Sequence, residues 1–195
     1  MILRFLGIRF NISPLFFILT SLLLIFDKSG YMSLSVLSSI IHELAHIFTM
    51  IFIKLPPKEI SVKYYGIEIK SQYGGKKQAI TVALSGPLAN IVIFAVSMAV
   101  NKIYPNELLL YFAIINLVIG AFNLLPISSL DGGDLLSMIL LTSLSIKKTT
   151  MITKIAGYTV VCILLLPSIF LAFKHNFNML LISIYLFILI LINCN

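Results

Sequence analysis

The chain has 195 residues, of which 59% are hydrophobic and 11% are charged, and its formal net charge is +7. This balance excludes an ordinary soluble domain, in which about a quarter of the residues are charged, and predicts an integral membrane protein. A helix that crosses a bilayer needs about 20 mostly apolar residues, so the length allows five or six spans and no sizeable soluble domain.

Apolar segments separated by charged or turn-forming residues predict six transmembrane helices. In chain order they are Phe5 to Phe26, Tyr31 to Ile53, Gln78 to Val100, Asn106 to Leu125, Ile152 to Phe173 and Phe177 to Ile192. The first segment follows Arg4 and Arg9, as a signal peptide would, but lacks a small-residue cleavage site, and we interpret it as an uncleaved helix. Cys162 and Cys194 show no C-x-x-C spacing and are expected to be packing residues.

The distribution of Lys and Arg predicts an orientation in the membrane. Eleven of the fourteen lie on one side of the predicted spans, and Lys28, Lys102 and Lys174 lie on the other. Because cytoplasmic loops collect positive charge, we expect both termini in the cytoplasm and attribute the net charge to loops near anionic lipid. No basic folded surface or nucleic-acid-binding motif is recognisable, so nucleic acid is not an expected partner.

The longest polar segment runs from Lys54 to Lys77 and contains the alternating sequence KEISVKYYGIEIKSQY. Its β-branched and aromatic residues predict a β-hairpin with a turn at Tyr65-Gly66, although a solvated loop with incidental alternation is the alternative. An exposed strand edge there could pair with an extended peptide. The expected fold is thus an all-α polytopic membrane protein of about six transmembrane helices, with a short membrane-associated β-hairpin after the second.

The second predicted span contains the sequence HELAH. His42 and His46 are four residues apart and share one face of a helix, and Glu43 lies beside them. In this H-E-x-x-H arrangement two neutral imidazoles bind Zn²⁺ and the glutamate acts as a general base. A carboxylate near the middle of a span costs about 2.5 to 3.5 kcal/mol, so it usually has a functional partner. The alternative is that the three side chains only hydrogen-bond to neighbouring helices.

A catalytic zinc site commonly has three protein ligands and one open position. The acidic residues outside HELAH are Asp27, Glu59, Glu68, Glu107, Asp131 and Asp134. The first four belong to the predicted outer side or to the hairpin, which leaves the two aspartates of the segment NLLPISSLDGGD. Pro126 and the pair Gly132-Gly133 are expected to break the helix there and to let a carboxylate turn inward. Asp134 is also a candidate helix cap.

Three motifs then give a resemblance that covers about Ile40 to Gly133. They are HELAH, the SGPLAN stretch from Ser85 to Asn90, and N-x-x-P-x-x-x-x-D-G at Asn123, Pro126, Asp131 and Gly132. In this combination and order they resemble the site-2 protease family of intramembrane zinc metalloproteases. One difference is Ser128-Ser129, where relatives often carry proline.

The resemblance implies a site with one zinc ion. His42, His46 and Asp131 would bind the ion and Glu43 would be catalytic. Gly86, Pro87, Asn90 and Asn123 would lie near the site. Either asparagine could orient a substrate carbonyl, bond to a developing oxyanion or simply link helices, whereas Asn116 is expected only to link helices. The whole chain would be one metalloprotease domain, residues 1–195, with a catalytic core at about 31–142 and accessory helices at 5–26, 152–173 and 177–192.

The implied activity is hydrolysis of a peptide bond in or near a transmembrane segment of a single-span or membrane-associated protein, as in regulated intramembrane proteolysis. Regulatory membrane partners are a further expectation. Six spans without a PDZ-like insertion are most similar to the sporulation-type bacterial branch, the relatives of stage IV sporulation protein FB. That branch often carries a CBS domain, which we do not expect here. The expected location is the bacterial cytoplasmic membrane.

Two other functions compete with this hypothesis. Membrane zinc proteases of the prenyl-protein type also carry H-E-x-x-H, but they use a downstream glutamate as third ligand, and no intramembrane glutamate follows HELAH. A catalytically silent membrane scaffold or metal-handling protein is disfavoured by Glu43, because such a protein needs no base beside its ligands.

Overall fold

A computed structural model describes residues 2–5, 8–63, 66–70, 75–173 and 178–192. In this part of the chain the elements are β1 (Ile2–Phe5), β2 (Ile8–Ile12), α1 (Pro14–Phe26), α2 (Tyr31–Phe52), β3 (Glu59–Lys63), β4 (Gly66–Lys70), α3 (Lys76–Ile103), α4 (Glu107–Asn123), α5 (Asp131–Leu140), α6 (Ile146–Phe173) and α7 (Asn178–Ile192). The chain divides into two compact units, Met1–Gly120 and Ala121–Asn195, with the boundary in the last turn of α4.

Three of the described helices are long and apolar enough to cross a membrane: α2, α3 and the Ile146–Leu171 part of α6. The helix α1, the helix α4 and the Met179–Ile188 part of α7 are apolar but shorter. Large apolar side chains stand outward on these helices, as Phe52 (87% exposed) and Phe173 (82% exposed) illustrate. Such a surface suits lipid rather than water, which supports a membrane protein. The count of six spans remains a prediction.

The predicted first span, and with it the accessory helix 5–26, is wrong at its N-terminal end. Residues 8–12 form β2 and pair antiparallel with β1, and the helix begins only at Pro14. Proline fits the first helical position because its missing N–H would have no partner there. The remaining 13 residues span about 20 Å, less than the roughly 30 Å of a hydrocarbon core. In RFNI, as in the LRF stretch of β1, apolar residues alternate with polar ones, which favours strands.

The predicted hairpin after the second helix is confirmed. The strands β3 and β4 pair antiparallel, with Ile60 opposite Ile69, while the predicted turn residue Tyr65 lies outside the described residues. The structure adds that β2 runs parallel to β3, which gives a four-stranded sheet in the order β1-β2-β3-β4. A parallel pair requires a long connection between its strands, and here α1 and α2 provide it. The two hairpins therefore lie on the same side of the first unit.

In the first unit α2 packs against α3 through a narrow polar stripe. The buried residues of α2 are Ser38, His42, His46 and Met50, which recur at every fourth position. Along α3 the buried residues are mostly small: Ala79, Val82, Ala83, Gly86, Pro87, Asn90 and Ser97. Small side chains allow two helix backbones to approach closely, and this approach carries the polar side chains of α3 to the histidines of α2.

The second unit has its own core, formed where α6 packs against α7 and against the turn that precedes α5. Its fully buried members are Ile127, Val161, Leu186 and Ile190. Burying a large aliphatic side chain contributes about 1.5 to 3 kcal/mol, so this cluster anchors the turn to the two apolar helices. The short helix α5 is not among the predicted spans, because ten residues are too few to cross a membrane. A helix after Gly133 is expected from the candidate cap at Asp134, and the observed helix begins two residues before Gly133, at Asp131.

Candidate metal centre

The two histidines of α2 occupy consecutive turns on its buried face. His42 is 4% exposed and His46 is 6% exposed, and their rings meet edge to face with centroids 4.9 Å apart. Glu43 follows His42 and is half-buried. The i, i+4 spacing thus places two imidazoles on one side of the helix, as HELAH predicts.

Each imidazole is held at Nδ1 by an oxygen acceptor from α3. The Nδ1 atom of His42 lies 2.6 Å from Asn90 Oδ1, and Nδ1 of His46 lies 2.8 Å from the Val82 carbonyl oxygen. A carbonyl oxygen only accepts hydrogen bonds, so both Nδ1 atoms carry a proton, and in the neutral rings both Nε2 atoms carry the lone pair. Metal-binding histidines are usually held in this manner, with the second ring nitrogen donating to a fixed acceptor.

The two Nε2 atoms lie 3.2 Å apart. Two lone pairs at this distance repel each other unless a proton or a cation lies between them. Two nitrogens bound about 2.05 Å from a tetrahedral zinc ion would lie about 3.3 Å apart. The donor set and its spacing therefore fit zinc, and they explain why two neutral imidazoles should face each other inside an apolar helix pair.

Gly86 on α3 lies directly against these nitrogens. A Cβ added at this position would overlap Nε2 of His46 and would stand 2.7 Å from Nε2 of His42. A larger side chain there would displace the two imidazoles. Pro87, the next residue, is also buried within α3. The glycine of SGPLAN thus keeps the space beside the two nitrogens open.

Asn90 is in turn held by a chain of hydrogen bonds that crosses three helices. Its Nδ2 donates to Oδ1 of Asn116 on α4 at 2.8 Å. Asn116 donates from Nδ2 to Ser38 Oγ at 3.0 Å and to the Phe112 carbonyl at 2.8 Å. Ser38 lies one turn before His42 on α2. All three of these polar residues, Ser38, Asn90 and Asn116, are fully buried.

In the second unit, Asp131 is the first residue of α5 and is half-buried. The chain from Leu124 to Leu130 turns back sharply. A Cβ on Gly132 would overlap the Leu124 carbonyl, and one on Gly133 would overlap the Ile127 carbonyl. The helix α4 does end at Asn123, but the two glycines lie inside α5 rather than breaking it. They allow the first turn of α5 to pack against the preceding backbone, and this packing fixes the position of Asp131.

Asp131 belongs to the second unit and stays the predicted third ligand. Asp134 is exposed in the first turn of α5, where an acidic residue favours the positive end of the helix dipole, and Leu130 occupies the cap position. Asn123 is the last residue of α4 and half-buried. Its predicted role near the site stays a prediction.

Three contributors to this site are missed by sequence reasoning. No sequence pattern can single out the Val82 carbonyl, because every residue has a backbone carbonyl. Ser85, whose hydroxyl donates to that carbonyl at 2.7 Å and lies 3.3 Å from His46 Nδ1, belongs to SGPLAN but carries no obvious chemistry there. Ser38 could have been found, since it precedes His42 by four residues on the same helix face. Asn116 links helices as expected, and it also bonds to Asn90.

Comparison with known proteins agrees with this chemistry. Residues 97–167, which include Asn116, Asn123 and Asp131, match Peptidase family M50. The chain is 27% identical over 165 residues to Zinc metalloprotease MJ0392 from Methanocaldococcus jannaschii, an alignment that covers 74% of this chain and 47% of that protein. The chain therefore spans about half the length of this curated relative.

The fold agrees as well. The structure of the Site-2 Protease from Methanocaldococcus jannaschii superposes with a TM-score of 0.69 at 24% identity, covering 96% of this chain and 92% of the other. At this level of identity the likeness shows a shared fold.

Proposed function

We propose that the protein is an intramembrane zinc metalloprotease of the site-2 protease type, which hydrolyses a peptide bond in or near a transmembrane segment of a membrane-associated substrate. The observation that carries the proposal is the pair of Nε2 atoms 3.2 Å apart, both made acceptors by hydrogen bonds at Nδ1. A scaffold would gain nothing from two lone pairs directed at each other inside an apolar helix pair, whereas a metal site requires them.

One zinc ion would be held by His42, His46 and Asp131, which leaves one position for water or substrate. The ligand chemistry supports zinc, because two imidazoles and one carboxylate form a common catalytic donor set for this metal. When bound, zinc supplies Lewis-acid polarisation of the attacking water and of the scissile carbonyl.

The protein's own residues carry out the proton transfers. The Glu43 carboxylate takes a proton from the attacking water as the water oxygen bonds to the carbonyl carbon of the scissile peptide. Glu43 then delivers this proton to the leaving nitrogen as the C–N bond breaks, which restores the carboxylate. Asn90 and the Val82 carbonyl hold the imidazoles in one orientation throughout, so that the ligands need not rearrange during the reaction.

The substrate must be locally extended, because an intact helix hides its carbonyls in its own hydrogen bonds. The strand β4 lies at one end of the sheet order, and an unwound substrate segment could add to it as a further strand. Both hairpins belong to one sheet, which supports our assignment of their basic residues to a single membrane face. We assign that face, and both termini, to the cytoplasm by the positive-inside rule.

We further propose that the protein resides in the bacterial cytoplasmic membrane and acts in regulated intramembrane proteolysis, with membrane partners that control access of the substrate. Only 23 residues separate α2 from α3, too few for a PDZ domain. This short connection supports a place near the sporulation-type branch of site-2 proteases.

The test compares purified wild-type protein with Glu43→Gln and Asp131→Ala. We expect Glu43→Gln to keep its zinc and to lose cleavage of a panel of single-span substrates by a factor on the order of 10² to 10⁴. Asp131→Ala should lower zinc affinity by more than the roughly 10- to 100-fold typical of residues behind the ligands. Glu107→Gln, which changes an exposed acid on α4, is the matched control and should behave as wild type.

Each result separates the candidate functions. Equal cleavage by wild type and Glu43→Gln would refute the mechanism. Wild-type protein that carries no zinc after metal-free purification and reconstitution would favour a silent scaffold. Zinc binding without cleavage of any substrate in the panel would favour a metal-handling protein. Unchanged zinc affinity in Asp131→Ala would move the third ligand to another residue.

A further inference from the structure

The hydrogen bonds that link Ser38, Asn116, Asn90 and His42 all run in one direction. The hydrogen bond that Ser38 donates defines this direction. Ser38 donates its hydroxyl hydrogen to the Leu34 carbonyl at 2.8 Å, so its oxygen is left as an acceptor. Asn116 therefore presents Nδ2 to Ser38 and Oδ1 to Asn90. Asn90 must then present Nδ2 to Asn116 and Oδ1 to His42.

Each amide in this chain has only one orientation that satisfies its neighbours. If Asn90 were turned over, its carbonyl oxygen would face Asn116 Oδ1, and two acceptors would meet in a site closed to water. A buried group without its hydrogen bond costs about 1 to 3 kcal/mol. Nδ2 of Asn116 also donates to the Phe112 carbonyl, and this second hydrogen bond favours the same orientation of the Asn116 amide.

We propose that Asn116 and Asn90 are positioning residues that set the tautomer of His42. The chain begins at the Leu34 carbonyl on α2, crosses α4 and α3, and returns to α2 at Nδ1 of His42. Its direction requires a proton on Nδ1 and places the lone pair on Nε2, next to His46. The inference rests on the proposed zinc site for its use, but the tautomer is a property of the protein's own residues.

This assignment changes the role considered for Asn90. An amide that orients the substrate carbonyl would point into the reaction space, whereas both polar atoms of Asn90 are bonded to protein partners and the residue is fully buried. Asn90 therefore acts through His42 rather than on the substrate. Asn116, which lies outside the three sequence motifs, becomes the residue that orients Asn90.

The two histidines are controlled differently. His46 donates to the backbone carbonyl of Val82, which cannot turn over. His42 donates to a side-chain amide, whose two ends differ in chemistry and can exchange by rotation. Only His42 therefore needs a second and a third residue to define its tautomer, and only His42 should respond to substitutions on α4.

The experiment measures two quantities on the full chain in detergent. Competition with a chromophoric chelator gives the zinc affinity, and ¹⁵N spectra of histidine-labelled, metal-free protein give the tautomer. We expect Asn90→Leu and Asn116→Leu each to weaken zinc binding by roughly 10- to 100-fold, the usual effect of losing the group behind a ligand. In Asn116→Leu the His42 signals should shift towards a mixture of tautomers.

Asn90→Asp separates orientation from packing. A carboxylate at this position still accepts from His42 Nδ1, whereas its second oxygen would meet Asn116 Oδ1, so zinc affinity should fall, but by clearly less than in Asn90→Leu. Leucine is similar in size but accepts no hydrogen bond. If Asp and Leu at position 90 weaken zinc binding equally, or if Asn116→Leu leaves both affinity and tautomer unchanged, the proposal is refuted.

Two controls keep the outcome clear. Ser183→Ala removes another fully buried hydroxyl, which bonds to the Met179 carbonyl within α7, and should change neither readout. If wild type binds no zinc, the proposed function fails, but the tautomer in metal-free protein still tests the chain of hydrogen bonds. If Asn90→Leu keeps wild-type zinc affinity but loses cleavage, Asn90 acts on the substrate and our inference is refuted.

Discussion

The two regions that supply the proposed zinc ligands position them in different ways. On α2 the two histidines belong to an unbroken helix of 22 residues, and side-chain and backbone groups of neighbouring helices orient their rings. At the start of α5, Asp131 follows an irregular turn whose path depends on two glycines packed against carbonyl groups. Hydrogen bonds between helices hold the first region, and backbone contact within one segment holds the second.

This difference predicts that the two regions respond differently to substitutions. Losing a hydrogen bond behind a ring nitrogen leaves a helix in place and disturbs only the ligand. Filling the space above a glycine in the turn displaces backbone, and backbone displacement propagates to every residue that the turn positions. Substitutions at the turn should therefore affect folding and metal binding together, whereas substitutions around α2 should separate the two.

The largest effect is expected from Gly133→Ala. The added Cβ would overlap the Ile127 carbonyl, which belongs to a residue of the second unit's core, so the turn and its core contacts must shift. We expect a loss of stability of about 1 to 3 kcal/mol, measured by thermal unfolding in detergent, together with loss of zinc. Gly157→Ala is the matched control, because the tightest contact of its Cβ would be with the end of the Ile190 side chain, at 3.2 Å, and the Pro126 carbonyl oxygen would lie at an ordinary 3.6 Å. A wild-type melting temperature for Gly133→Ala would contradict the assignment.

Gly86→Ala should separate metal binding from folding. Its Cβ would overlap ring nitrogens rather than backbone, and the ends of two side chains can move aside while the helices stay in place. We expect zinc affinity to fall more than about 100-fold, beyond the usual effect of a residue behind the ligands, with little change in thermal unfolding. Gly75→Ser at the N-cap position of this helix, where nothing lies within 4 Å, is the control. Retention of wild-type zinc affinity would exclude a metal between the two Nε2 atoms.

The sequence predicts the local features of this structure and misses its long-range contacts. The i, i+4 spacing of HELAH and the alternation of EISVK and GIEIK are local patterns, and the structure confirms the histidine face and the hairpin. The pairing of β2 with β3 joins residues about 50 positions apart, and no local pattern encodes it. The same limit hides the first hairpin, because a short alternating stretch before an apolar run resembles the start of a span.

The site shows this limit at the level of single atoms. The residue types at His42, Glu43 and His46 are sufficient to predict a metal site, because few other arrangements place two imidazoles and a carboxylate inside an apolar helix. The acceptor for His46 is a backbone oxygen, which no sequence reveals. Asn116 is recognisable as a polar residue in an apolar helix, but its partner depends on how α4 is rotated, which only the packed structure defines.

The smallest effect is expected at the start of α2, in the exposed turn outside the span. Asp27 accepts hydrogen bonds from the Ser33 backbone N–H and hydroxyl, each at 2.8 Å, and the backbone bond is the main reason that its pKa is lowered from 3.8 to about 2. Because the folded-state pKa is the lower one, the carboxylate stabilises the protein above about pH 4, and this contribution is lost as the pH falls towards 2. Asp27→Ala should therefore lower the melting temperature slightly and equally at pH 7 and pH 5, and by less at pH 3. Zinc affinity at pH 7 should not change, since the orientation of the histidines depends on α3 and α4 rather than on the first turn of α2. A large loss of zinc in this variant would show that the start of the helix, and not its neighbours, positions the ligands.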